Sequence, residues 1–152
     1  MTKRKSKKKI LVKPVPTYRD RLQFSFRYLD RNHSKFPLKD CSQDFFIALL
    51  DKLKEYSEYT EVQFTDENHK ERRHKNFWEN TSEPDGFRHL DEEVNAEYGW
   101  QFGLDSRDGQ RFDRSKDWRV HGMLAENIFF VIWLDTNHKL EAKKSRDAQA
   151  SQ

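Results

Sequence analysis

The run Ile128-Phe129-Phe130-Val131-Ile132-Trp133-Leu134 constrains this chain more than any other stretch. Consecutive apolar, β-favouring residues leave no polar face for solvent, so the segment reads as a strand covered on both sides and lying centrally in a sheet. It is far shorter than the ~20 apolar residues of a membrane span, and no other run approaches that length, so no membrane partner is expected. A strand covered on both faces needs neighbours that cover it, and the periodicity of the remaining sequence supplies them.

From Leu22, the apolar Leu22, Phe24, Phe26 and Tyr28 alternate with Gln23, Ser25 and Arg27, the period of a half-buried strand. Asp40 stands three residues before Gln43, a capping-box-like helix start. Phe45, Phe46, Leu49, Leu50, Leu53 and Tyr56 then recur at helical spacing, with Lys52, Lys54, Glu55 and Glu58 facing away. A short helical turn is expected at Thr60–Phe64. Asp66 to Pro84 reads as a long charged loop, and a second, weaker helix is expected from Asp85 through Phe87, Leu90 and Val94. Alternation returns at Trp100, Phe102 and Leu104, turns near Asp108-Gly109, resumes at Trp118, Val120, Gly122 and Leu124, and turns again at Ala125–Asn127. The fold class is α+β: a strand, one long and one shorter helix, then a three-strand antiparallel meander with a buried central strand.

A chain of 152 residues is the size of one domain. Residues 1–17 read as a disordered basic arm, 18–140 as a single domain, and 141–152 as a frayed tail. The arm's Lys3, Arg4, Lys5, Lys7, Lys8, Lys9 and Lys13 carry no accompanying acid. Removing these seven from 29 Lys/Arg leaves 22 against 26 Asp/Glu, so the +3 chain has a body of −4. Affinity for RNA or another polyanion is therefore expected from the arm or from a local patch.

Cys41 is the single cysteine, which excludes an intramolecular disulfide and a thiolate metal cage. A reducing compartment, the cytoplasm, fits this composition, and the basic N-terminus lacks a following apolar signal-peptide core. At the head of the long helix a lowered thiol pKa is one option for Cys41, a small incidental cysteine the other. The five glycines are scattered, so nucleotide-cradling loops are not expected, and no cofactor is implied. His69 and His74 lack Cys or acidic partners at metal-ligand spacing, so no metal site is expected.

Three clusters carry candidate chemistry. In Trp118-Arg119-Val120-His121-Gly122, Arg119 and His121 point to one face of a strand, where a guanidinium can hold phosphate and an imidazole can move a proton. His138 and Lys139 lie just past the buried strand. Solvated strand residues and an ordinary strand end account for these two clusters equally well. The stretch around Arg72, Arg73, Lys75, Phe77 and Trp78 joins positive charge to aromatic faces, suited to phosphates and bases, and also to a solvated loop.

The order of elements resembles the RelE/YoeB-type toxin superfamily, small bacterial ribonucleases whose antiparallel sheet carries the catalytic residues. The resemblance is of topology and size, without a shared motif, and the acidic body and the 66–84 insertion depart from it. It implies a toxin-like, RNA-directed protein, a metal-free endoribonuclease with Arg119, His121, His138 and Lys139 as catalytic candidates. Arg119–Leu140 is also similar to the ends of uncharacterised bacterial proteins, which implies no mechanism. The alternative is a non-catalytic adaptor that binds nucleic acid or a protein partner, with exposed Phe77 and Trp78 as anchors.

Overall fold

The computed structural model of the chain describes residues 17–66, 68, 73–90, 96–104 and 115–141. The arm residues Lys3, Arg4, Lys5, Lys7, Lys8 and Lys9, together with Arg72, Val94, the Asp108-Gly109 turn and residues 142–152, lie outside that range. The described elements are β1 (Gln23–Ser25), α1 (Gln43–Tyr56), α2 (Glu61–Phe64), β2 (Arg73–Phe77), β3 (Tyr98–Gly103), β4 (Arg119–Ala125) and β5 (Ile128–Asp135). They build an α+β fold on one five-stranded sheet of order β1-β5-β4-β3-β2. β3, β4 and β5 form the expected antiparallel meander, β2 adds antiparallel to β3, and β1 pairs parallel with β5.

β5 is interior, flanked by β1 and β4, while β4 takes the middle position. The β4–β5 hairpin turns on Glu126 and Asn127, both at positive φ (50° and 64°), the backbone of a two-residue turn that matches strand twist. A bulge then shifts the register: His121 faces Trp133, whereas Gly122 faces Val131. The extra residue lets the adjacent Ile132 and Trp133 enter the same core, while Phe129, Val131 and Leu134 enter the other. Gly122 is required there, because a Cβ would lie 1.9 Å from the Phe130 carbonyl oxygen.

One core lies between the sheet and α1, where Phe45, Leu49, Leu53 and Tyr56 meet Phe64, Phe102, Val120 and Phe129. Burial of side chains this size contributes about 1.5–3 kcal/mol each before ordering costs. The N-cap of α1 is Ser42, whose hydroxyl accepts from Phe45 N–H at 3.1 Å; Asp40 belongs to the preceding 3-10 turn. Two helix expectations change. Phe46 and Leu50 are 36% and 64% exposed. Lys52 is buried, its ammonium lying 5.6 Å from the Tyr56 ring centroid and donating to Glu55 at 3.1 Å. The short helix is α2, closed by a reciprocal capping box between Thr60 and Gln63.

The opposite face of the sheet carries a second core of Phe36, Trp78, Phe87, Ile132, Trp133 and Leu140. The helix expected from Asp85 is not found among the described residues: 84–90 are successive turns. Gly86 at φ +53° interrupts them, pressed against Trp78 so closely that a Cβ would meet its Cδ1 at 2.4 Å. The stretch read as loop 66–84 contains β2. Its inward position is taken by Arg73, which is 5% exposed and lies over the Tyr56, Tyr59 and Phe64 rings at 5.3–5.6 Å. An arginine in place of an apolar residue conceals the alternation by which strands are read. Among the described residues, no helix is long and apolar enough to cross a membrane.

Candidate functional site

On the face of the sheet opposite α1, the second core covers the β5 side and leaves the β2–β3–β4 side open. A cleft of about 640 Å³ lies there. Its lining includes His74 and Asn76 from β2, Gln101 from β3 and Arg119 from β4, residues that alternation sends to one face. Lys75, Phe77, Asn80, Thr81, His138, Leu140 and Glu141 complete its lining. Asn76 Nδ2 donates to Gln101 Oε1 at 2.9 Å and fixes the two amides. Arg119 is held through Nη1, which donates to the Lys116 and Trp118 carbonyls at 2.6 and 2.9 Å.

Arg119 and His138 thus line one cleft together with His74. His121 does not line it. The ring is fully buried, between Phe36 and Trp133, and Nε2 donates to Asp135 Oδ2 at 3.3 Å. Burial holds the imidazole below its ordinary pKa, outweighing the pull of Asp135, so the contact joins a neutral ring to a carboxylate. Burial pushes the Asp135 carboxyl up, but hydrogen bonds from His121 and from the Lys139 and Leu140 N–H groups overcome it and hold the group below its usual range. Among the described residues, His121 Nδ1 has no hydrogen-bond partner.

The Asp135 carboxylate also shapes the end of β5. Oδ1 accepts from Asn137 N–H at 3.2 Å and Lys139 N–H at 2.8 Å, and Oδ2 accepts from Leu140 N–H at 3.1 Å. Within that turn His138 adopts φ +51°, a conformation costly for a residue with a Cβ, and its side chain is exposed at the cleft. Three N–H groups on one buried carboxylate supply what the turn needs. Below it, Glu141 and Ser82 exchange hydrogen bonds (Ser82 N–H to Glu141 O, 2.7 Å; Glu141 N–H to Ser82 Oγ, 3.1 Å), which close the lower rim.

The other candidates are placed elsewhere. Lys139 turns away from the cleft, its ammonium donating to the Lys35 carbonyl at 2.9 Å and lying 3.8 Å from Asp40 Oδ2. Arg73 packs inward and donates from Nε to the Phe64 carbonyl at 2.9 Å. Trp78, expected as an exposed anchor, is 3% exposed and belongs to the second core, where it meets Phe87 and Trp133 edge to face. Phe77 is 47% exposed. Cys41 has its thiol pushed up to about 11, by burial and by Asp40 beside it, the reverse of an activated cysteine.

One further polar group carries no local sequence signature. Asp30 Oδ2 accepts from His89 Nε2 at 2.8 Å and from Trp133 Nε1 at 3.2 Å, while His33 stacks on Phe36 and faces Glu83 Oε2 at 4.0 Å. These residues pin two loops over Trp133. Among the described residues, no group of three His, Cys, Asp or Glu side chains is arranged to hold a metal ion.

Comparison of the chain with protein-family models, with curated proteins and with solved structures finds no match.

Proposed function

We propose that the protein is a toxin-like, RNA-directed endoribonuclease that works without a metal in the sheet cleft, on cytoplasmic RNA. The observation that supports this reading is that two imidazole-bearing residues, His74 and His138, line one cleft with Arg119. In the reaction, one neutral imidazole takes the proton of a ribose 2′-hydroxyl, whose oxygen attacks the adjacent phosphorus. The other imidazole, protonated, gives its proton to the departing 5′-oxygen as the P–O5′ bond breaks. The products are a 2′,3′-cyclic phosphate and a 5′-hydroxyl, and Arg119 stabilises the charge that gathers on the phosphoryl oxygens. The buried His121–Asp135 pair supports the turn that carries His138 and touches no substrate. The basic arm, Lys3 to Lys9, adds salt-dependent affinity without sequence preference.

The test is the chemistry of the ends. RNA cut in EDTA should carry 2′,3′-cyclic phosphate and 5′-hydroxyl termini, and a strand with 2′-deoxy sugars should resist. Cleavage that requires a divalent ion, or 5′-phosphate products, would contradict the reading.

A second reading, the non-catalytic adaptor, draws on the outward Phe46, Ile47 and Leu50 of α1, between 36% and 64% exposed. It predicts no cleavage, and RNA binding that disappears when residues 1–13 are removed.

A further inference from the structure

A second cleft, of about 580 Å³, opens on the α1 side of the same edge of the sheet. Its lining includes Arg73, Lys75, Tyr98 and Trp100, with the carboxylates Glu61 and Asp66. The ammonium of Lys75 lies 4.4 Å from the Tyr98 ring centroid and 5.6 Å from that of Trp100, and Phe77 packs on Tyr98 at 5.6 Å. His74 and Lys75 line this cleft and the candidate active-site cleft alike. The two clefts therefore lie on opposite faces of one ridge, the edge strand β2.

We propose that this cleft is a base-binding subsite, in which a nucleobase next to the phosphate held at the β2 ridge stacks on Tyr98. The inference rests on the nucleic-acid reading above and deepens it, by saying where an adjoining base goes. The polarity of the cleft sets the orientation. Glu61 and Asp66 repel phosphate and Lys75 attracts it, so the sugar–phosphate belongs beside Lys75 and the base on the Tyr98 ring. Both carboxylates already accept backbone N–H groups, Glu61 from Asn127 at 3.1 Å and Asp66 from Asn68 at 3.0 Å, so they form fixed walls. A base on Tyr98 takes the ring face now covered by the exposed Lys75, whose ammonium moves to the phosphate. Aromatic stacking of this kind tolerates any base and requires a single strand.

The test uses an eight-nucleotide single-stranded DNA, which binds without being cleavable for lack of the 2′-hydroxyl, and the same strand made abasic at its central positions. Wild-type protein should bind the intact strand on the order of tenfold more tightly than the abasic one. Tyr98→Leu, which keeps an apolar side chain against Phe77, should lose that difference while binding the abasic strand unchanged; circular dichroism checks its fold. Equal affinity of wild type for intact and abasic strands overturns the subsite, as does a preference that survives in Tyr98→Leu. Either of these results alongside intact RNA cleavage leaves the ribonuclease reading standing, whereas failure to bind either strand together with absence of RNA cleavage overturns both.

Discussion

His121 Nε2 lies 3.3 Å from Asp135 Oδ2, with both side chains fully buried, and that contact ties the strand pair β4–β5 to the turn bearing His138. The carboxylate accepts one side-chain and three backbone N–H groups. Removing it strands donors in a dry site. Asp135→Ala is expected to cost about 3–5 kcal/mol, and Asp135→Asn less, in urea unfolding monitored by tryptophan fluorescence.

Acid should loosen the second core first. His33 and His121 both have pKa values lowered from the ordinary 6.5 mainly by burial, so the unfolded chain binds protons more readily than the folded one. Their contribution is fully present above pH 6.5 and is lost as pH falls through the interval between 6.5 and their lowered folded values. Asp135, also lowered, adds a further loss below its ordinary 3.8. Thermal melts from pH 8 to pH 5 should show a falling Tm, and the fall should shrink in His33→Gln.

His138 separates stability from activity. At φ +51° and exposed to solvent, it gains nothing from its Cβ, so His138→Gly should melt at the same temperature as wild type or higher. Cleavage should nonetheless fall by about 100-fold or more with the loss of a proton-transfer group. Equal losses of both would assign His138 a purely structural place.

Gly86 combines φ +53° with Trp78 ring atoms where a Cβ would stand. Gly86→Ala should destabilise by about 1–3 kcal/mol, read as a lower urea midpoint with an unchanged slope.

Cys41, with its thiol pushed up to about 11, is protonated at pH 8. Alkylation by iodoacetamide in the folded protein should be slow and should speed up on unfolding in urea.

The strands legible in the sequence are those that bury apolar side chains at period two or without interruption: β3, β4 and β5, and β1 as the shorter Gln23–Ser25 within the alternating 22–28 stretch. β2 was hidden because Arg73 fills its inward position and the neighbouring His74, Lys75 and Asn76 are polar. The parallel pairing of β1 with β5 joins residues more than 100 apart, and local patterns hold no information about it. The helical spacing of Phe87 and Leu90 is real, but the left-handed Gly86 and its contact with Trp78 turn that spacing into a loop that caps the second core.

At the site, alternation was enough to put Arg119 and His121 on one face of β4. It carried no information on depth. Phe36 and Trp133 close over His121 from distant parts of the chain, so the imidazoles that line the cleft are those of His74 and His138. Lys139, next to His138 in sequence, leaves the cleft because the Asp135-held turn directs it to the Lys35 carbonyl.

The central claim is that the β2–β4 cleft cleaves RNA. The most direct measurement is the rate of cleavage of a labelled mixed-sequence RNA in EDTA by wild type, His74→Ala, His138→Ala and His121→Gln, each checked for native fold by circular dichroism. The account predicts cleavage by wild type, loss of about 100-fold or more in His74→Ala and His138→Ala, and a smaller effect in folded His121→Gln. Cleavage at the wild-type rate by the His74→Ala and His138→Ala proteins, or none by wild type, would contradict it.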